Sequence, residues 1–508
     1  MTTILLAHSY FLAHDAKQRA KMRPYPPLGT LYVAGMLRSA GHDVTVFDSM
    51  LATGEDEFTH LVSELRPDVV VMFEDSFNFL SKMCLARMRQ AAHAMIDAAR
   101  RSGALVVAAG SDASDDPAAY LAAGAHVVAR REAEHAVTEL VEALAHSGFW
   151  AAARGIPGLS FIEDDQDGEV VSTPDRRNER HPDVFGRPAR DLVDIEAYRR
   201  AWVDRHGYFS INMVSTRGCP FHCNWCAKPV WGQRYAMRSA VDVADELAAV
   251  KREIRPDHVW FADDIFGLRP SWLAEFAAQV DRLGAHIPFT IQSRCDLMSP
   301  DAVDALARSG CHEVWLGAES GSQAVLDAMD KGTTVAEIIT ARRRLADAGV
   351  RAAFFIQFGY PGERWGDIMA TVDMVRQALP DDIGVSVSYP LPGTRFHEMV
   401  RDQLGAKTHW DESGDLAMMF RGTYTTPFYR HLHATLHDDL DLHRRRAGLA
   451  PTPIPRHDIV SLVEHERRVA QGWVTLAELE RTCRNERPTL LVRAETVTSA
   501  PDLSLSWN

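Results

Sequence analysis

Residues 208–226 read YFSINMVSTRGCPFHCNWC. An apolar run with β-strand character passes directly into a loop holding Cys219, Cys223 and Cys226, spaced CxxxCxxC. A strand that delivers reactive side chains at its carboxyl end, followed by a helix, is the repeating unit of a (β/α) barrel. Helical segments at 241–254, 270–283 and 335–349 separate further strand candidates at 258–264, 289–294, 313–319, 352–360 and 383–390. Six such units are too few for an eight-fold closed barrel, so the reading is an open, partial (β/α)6 TIM-like barrel with its chemistry at the strand carboxyl ends.

Upstream, TILLA (3–7), DVTVF (43–47), DVVVMF (68–73), ALVVAA (104–109) and HVVA (126–129) alternate with helical stretches, among them an acidic helix from Glu55 and a long one from Phe79 to Arg101. That pattern predicts an open parallel sheet of flavodoxin-like (Rossmann-type) topology, with ligands at its carboxyl edge. Neither GxGxxG after the first strand nor GxxxxGK[ST] is present, so the common nucleotide fingerprints are missing. The whole chain reads as α/β: a first domain at 1–150, a linker with a small hairpin at 151–205, the partial barrel at 206–400 and a helical C-terminal region at 401–508. The His/Arg-rich stretch 431–449 reads mainly as a solvated helix face, and the polar tail from Arg487 as loosely packed.

The 508 residues carry a formal charge of −14 and are 46% hydrophobic, enough to bury several cores and unfavourable for a phosphate backbone. No nucleic-acid partner is expected. The first ten residues lack a basic signal-peptide region and no apolar run approaches the ~20 residues that cross a bilayer; a cytoplasmic protein with no membrane partner is expected. Seven cysteines, an odd number, fit a reducing compartment rather than a disulfide framework. Cys84, Cys295, Cys311 and Cys483 read as inert core residues.

Three thiols in one short loop suit soft metal chemistry. Zinc needs a fourth ligand, which only His222 could supply from within the loop. A 4Fe-4S cluster on three cysteines instead leaves one iron open to a substrate or cofactor, and this is the preferred reading.

With Trp225 before the last cysteine, the motif resembles the signature of the radical S-adenosylmethionine superfamily, and the partial barrel matches that superfamily's fold. The resemblance implies that the open iron binds S-adenosylmethionine, which is cleaved reductively to a 5′-deoxyadenosyl radical. It further implies S-adenosylmethionine contacts from Trp225, Phe261, Asp263, Ser293, Arg294, Glu319, Gln357, Gly359 and Tyr389, which occupy successive strand ends. A carboxylate at a strand end can equally cap a helix, and Pro/Gly pairs can merely turn the chain; the argument lies in their recurrence.

The order of domains, with YPPLGTLYVAGMLRSAGHDVTVFD (25–48) and ESGSQAVLDAMDKGTT (319–334), is similar to the cobalamin-binding branch, which includes anaerobic magnesium-protoporphyrin monomethyl ester cyclases and C-methyltransferases. Leu28, Gly29, Ser76, Gly110, Ser111 and Glu132 are the positions this resemblance assigns to cobalamin. Three departures stand out. The cobalt-ligating DxHxxG is absent, although His8 and His14 flank the corresponding loop. A usual GG pair appears as Ala109-Gly110. The usual GEGE appears as Arg131-Glu132-Ala133-Glu134, where Arg131 and Ala133 would narrow the corrinoid site.

The resemblance implies methylation of an unactivated carbon of a small molecule, with a flavodoxin or ferredoxin as electron donor. Oxidative cyclisation or rearrangement with the same cofactors is the alternative, and a non-catalytic iron–sulfur/corrinoid sensor a more distant one. No motif after Thr394 or around Ser76 to Lys82 identifies the substrate.

Overall fold

The computed structural model describes residues 1–78, 85–144, 149–163, 168–226, 230–232, 234–405, 416–449 and 461–485. Cys84, Lys82 and the tail from Arg487 lie outside the described residues, as does the start of the helix expected from Phe79; its described part is Ala86–Arg101.

The first sheet has seven strands in the order β2-β1-β3-β4-β5-β6-β7. Strands β1 (Thr3–Ala7), β2 (Asp43–Phe47), β3 (Val69–Phe73), β4 (Leu105–Ala109) and β5 (Val127–Ala129) are parallel. Their β-branched runs are buried on both faces because period-two alternation sends neighbouring residues to opposite layers. Ile4, Leu6, Val71 and Val107 join one core; Leu5, Ala7, Val70 and Met72 join the other. The hairpin expected within the linker is formed by β6 (Leu159–Ile162) and β7 (Val170–Ser172), and it extends this sheet with antiparallel strands instead of standing apart.

Six parallel strands form the second sheet in the order β15-β14-β13-β12-β11-β8. They are β8 (Ser210–Met213), β11 (His258–Phe261), β12 (Phe289–Ser293), β13 (Cys311–Glu319), β14 (Arg351–Phe358) and β15 (Asp382–Val387). The run 208–216 expected as one strand divides: β8 ends at Met213, and Thr216–Gly218 forms β9, which pairs antiparallel with β10 (Tyr235–Met237). This small hairpin carries the cysteine loop.

The C-terminal region is helical as expected. Helices Thr426–Arg446 and Leu462–Thr482 pack together and against helix Trp365–Ala378. The expectation of a mainly solvated histidine face needs correction. His437, Asp438, Asp439 and Arg444 are buried, and His431 Nε2 pairs with the Gly472 carbonyl at 3.0 Å, because the second helix covers this face. No described helix is long and apolar enough to cross a membrane.

A separate apolar cluster joins the two sheets. It combines Leu28 and Tyr32 of helix Leu28–Ser39, Phe77 after β3, Phe185 of the linker, and Val214, Val230 and Trp231 of the barrel.

Candidate functional site

The cysteine loop is held at its root, its middle and its side. At the root, Asp263 lies two residues beyond β11 and is buried. Its Oδ1 accepts from the Ser215 and Thr216 N–H groups at 2.8 Å each, and its Oδ2 from Ser215 Oγ at 2.6 Å. Burial pushes this carboxyl up to about 6, against the pull of those donors. Gly218 then turns with φ +75°, and a Cβ there would stand 2.3 Å from the Arg234 carbonyl oxygen. Only glycine fits a left-handed turn so close to its partner strand.

In the middle of the loop, Asn224 ties the chain to later barrel loops. Its N–H donates to Met329 O (3.0 Å), and its Nδ2 to Ala328 O (2.7 Å) and Asp330 Oδ2 (3.1 Å). Its Oδ1 accepts from Tyr360 Oη (2.9 Å) and its carbonyl from the Phe396 N–H (3.0 Å). Sequence reasoning missed Asn224. Its position inside CNWC was the one available signal, since a small amide between two ligands suits backbone anchoring.

Beside the loop stand two buried cations. Arg294 follows β12, places Nη1 3.9 Å from Cys223 Sγ and lies over the Phe221 ring at 3.7 Å; Asp296 holds its Nε at 2.9 Å. Lys331 Nζ donates to Glu319 Oε1 at 2.8 Å, both side chains being buried. Burial alone would lower the Lys331 ammonium, but Glu319 and the Cys223 sulfur outweigh it and its pKa is raised. Cationic surroundings favour thiolate over thiol. The donor set, three thiols beside two buried cations, therefore suits an anionic thiolate-held cluster. His222, the candidate fourth zinc ligand, is exposed; among the described residues no three His, Cys, Asp or Glu side chains, the three loop cysteines included, are already gathered as a metal site. Cys295 and Cys311 are buried, and burial pushes the Cys295 thiol up to about 12 and raises that of Cys311, as inert core residues require.

The remaining strand-end residues divide by surroundings. Phe261 is fully buried, its ring 4.9 Å from Phe266 and 5.4 Å from Phe289, so the side chain belongs to the barrel core. Asp263 serves the loop root as described. Ser293 Oγ donates to Phe266 O at 3.2 Å. Glu319 has φ +60°, a left-handed conformation that stores strain outside glycine. Trp225 is half-buried against the core with Nε1 unpartnered, and buried Gln357 keeps Oε1 unpartnered. Gly359 (φ +78°) donates its N–H to Glu363 Oε2 at 2.6 Å, and a Cβ there would meet Met418 at 3.1 Å and Tyr429 at 3.2 Å. Tyr389 is half-buried beyond β15.

At the carboxyl edge of the first sheet, Leu28 and Gly29 open a buried helix, and the Gly29 N–H donates to Asp75 Oδ1 at 3.0 Å, next to buried Ser76. Gly110 has φ +142°, and a Cβ there would lie 2.6 Å from Glu74 Cβ. Ser9 Oγ and Ser111 Oγ, after β1 and β4, are buried without hydrogen-bond partners. A cavity of about 150 Å³ opens here, lined by residues including Ser9, Tyr10, His14, Arg87 and Met88. Of the two orphaned hydroxyls, Ser9 lines this cavity and Ser111 does not; a buried hydroxyl without a partner beside a cavity at a strand edge fits a bound polar ligand.

Neither nearby imidazole has Nε2 spare. His8 is engaged by Asp48 (3.1 Å) and His14 by Arg87 (3.3 Å). Of the two positions expected to narrow the corrinoid site, the Arg131 side chain is exposed and paired with Asp175 at 3.1 Å, while Ala133 sits in the apolar core. Glu132 accepts on Oε1 from Arg217 Nη1 at 3.1 Å and on Oε2 from the Glu179 N–H at 2.5 Å.

Two family models match these two halves: the Radical SAM superfamily over residues 213–375 and the B12 binding domain over residues 23–141. The chain thus combines a radical S-adenosylmethionine domain with a B12 binding domain. It is 27% identical over 380 residues to an uncharacterized methyltransferase of Pyrococcus horikoshii, covering 73% of this chain and 78% of that protein. It is also 24% identical over 386 residues to the anaerobic magnesium-protoporphyrin IX monomethyl ester cyclase of Cereibacter sphaeroides, covering 75% of this chain and 61% of the cyclase. The fold matches the radical S-adenosylmethionine methyltransferase TsrM from Kitasatospora setae, a structure with cobalamin and a [4Fe-4S] cluster bound. The TM-score is 0.67 at 18% identity, covering 95% of this chain and 99% of that one. The family brings a 4Fe-4S cluster, S-adenosylmethionine and cobalamin as cofactors.

Proposed function

We propose that this chain is a cobalamin-dependent radical S-adenosylmethionine methyltransferase acting on an unactivated carbon of a small molecule. The observation that carries the reading is the three-thiol loop beside Arg294 and Lys331, joined in one chain to a B12-type domain whose strand edge holds orphaned Ser9 and Ser111. When bound, the cluster supplies an electron that releases a 5′-deoxyadenosyl radical from S-adenosylmethionine, and the corrinoid supplies the methyl group.

The chain's residues position and shield. Cys219, Cys223 and Cys226 hold the cluster. Asp263, Gly218 and Asn224 fix the loop that presents them. Arg294 lends positive charge at Cys223, while the unpartnered Trp225 Nε1 and Gln357 Oε1 are available to S-adenosylmethionine, and Gly359 and Tyr389 lie at the neighbouring strand ends. Leu28, Gly29, Ser76, Gly110 and Ser111 would form the corrinoid edge, near which His8 and His14 are engaged by Asp48 and Arg87. A flavodoxin or ferredoxin as reductant and a cytoplasmic setting complete the proposal.

Similarity to the cyclase supports a second reading, oxidative ring formation without net methyl transfer. Anaerobic reconstitution with iron, sulfide, hydroxocobalamin and S-adenosylmethionine tests both. A product heavier by one methylene, formed with 5′-deoxyadenosine, is the expected result; loss of hydrogen or gain of oxygen selects the second reading. Absence of 5′-deoxyadenosine from cluster-loaded protein would sink both.

A further inference from the structure

Arg217 lies in β9, two residues before Cys219, and only 4% of it is exposed. Its Nη1 donates to Glu132 Oε1 at 3.1 Å and to Glu134 Oε1 at 2.5 Å. Both carboxylates follow the carboxyl end of β5 in the B12-type domain, and Glu134 opens helix Glu134–Leu144. The guanidinium centre stands 3.9 Å from the ring centroid of linker Phe185 and 5.3 Å from that of Phe77, the neighbour of Ser76. Glu132 in turn accepts the linker N–H of Glu179. One buried cation therefore touches the β3 and β5 edges of the first domain, the linker and the root of the cysteine loop.

Burying a guanidinium with two carboxylates stabilises a fold no better than well-packed apolar side chains would, yet it fixes direction and register. Cohesion between the domains does not depend on it. A second network, in which Arg238 contacts Val214 O (2.8 Å), Tyr32 Oη (3.2 Å) and Glu246 (2.6 Å) while Glu246 also pairs with linker Arg190 (2.7 Å), joins the same halves and shares only the Tyr32 ring with Arg217 (5.7 Å). On the barrel side the chain around Arg217 is held by the β9–β10 pairing and by Asp263, so a displacement of Arg217 is passed to Cys219.

We infer that Arg217 is a positioning residue that sets the cysteine loop in register with the corrinoid edge of the first domain, so that radical formation and methyl transfer occur at matched places. This rests on the proposed function. It makes corrinoid binding and loop order two readings of one contact, linked as binding free energies must be.

The test uses the full-length double variant Arg217→Met with Glu134→Gln, which leaves one buried carboxylate where the native trio carries the same net charge; Arg217→Lys is the conservative partner. In the native protein lacking its cluster, hydroxocobalamin is expected to slow amide hydrogen exchange over residues 216–226. The double variant, folded by circular dichroism and still binding hydroxocobalamin, is expected to lose that slowing, and the lysine variant to retain part of it. After reconstitution, the double variant should still form 5′-deoxyadenosine, but product per 5′-deoxyadenosine should fall roughly 10- to 100-fold, the scale on which a misplacement of about 1 Å acts. Unchanged exchange slowing together with an unchanged product ratio overturns the inference. So does a double variant that fails to fold while Arg217→Lys behaves as native in both assays, which would make the contact purely structural. If the native protein forms no 5′-deoxyadenosine, the proposed function fails by itself, and the exchange experiment still decides whether Arg217 couples the two domains.

Discussion

Asp263 and Glu363 are two buried acids in different circumstances. Asp263 holds the cysteine loop by accepting from Ser215 and Thr216. Asp263→Ala orphans two buried N–H groups and should cost about 3 kcal/mol with a matching loss of iron per chain after reconstitution; Asp263→Asn, which keeps one acceptor oxygen, should lose less of both in the same denaturation and iron assays. Glu363 accepts only the Gly359 N–H on Oε2, with Oε1 unpartnered. Burial pushes its carboxyl from the ordinary 4.5 up to about 8, the Gly359 N–H pulling it partly back. The folded protein thus keeps a proton that the unfolded chain has already released, and stability from this group falls as pH rises from 4.5 to about 8, then levels off. Glu363→Gln keeps an acceptor for Gly359 and removes the charge. Its stability in denaturant should depend less on pH across that window, so a native-like slope would show that Glu363 is already ionised.

At the scale of the element, the β9–β10 hairpin turns a strand end into a ligand platform. Gly218 is its critical position: φ +75° and the nearby Arg234 carbonyl leave no room for a methyl group. Gly218→Ala should therefore open the hairpin at a cost of about 2–4 kcal/mol. The expected signature is poor iron uptake in a protein whose far-ultraviolet circular dichroism remains native, because the large sheets do not depend on this turn. Native iron loading in that variant would place the cluster's support elsewhere.

For the whole molecule, buried charge joins parts that composition alone would leave separate. Asp439 of helix Thr426–Arg446 accepts from Arg376 of helix Trp365–Ala378 at 2.7 and 2.8 Å and from Trp473 Nε1 at 2.9 Å, so one carboxylate ties the C-terminal pair to the barrel. Asp439→Ala leaves a cation and an indole N–H without their acceptor and should destabilise by about 3 kcal/mol. Thermal unfolding reads this directly, and an unchanged midpoint would mean that apolar packing alone holds the helices.

Much of this architecture is local and therefore legible in sequence. The β-branched runs at 3–7, 43–47 and 289–294, and the turn-rich segments between them, specify their own strands because period-two alternation is a property of neighbours. The cysteine triplet is equally local, since one short loop supplies all three thiols. Residue partnerships are another matter. The sequence does not foretell that the Phe261 ring packs in the barrel core, that Glu132 receives Arg217, or that Arg131 pairs with Asp175 at the surface. Arg217 and Glu132 are separated by 85 residues, Ser215 and Asp263 by 48, and Tyr360 and Asn224 by 136. The amino-acid sequence by itself determined the parallel strands of both sheets, though not the β9–β10 hairpin, and the thiols. Only the tertiary structure decided which carboxylate serves which donor, because that choice depends on burial and on which distant loops the two sheets bring together.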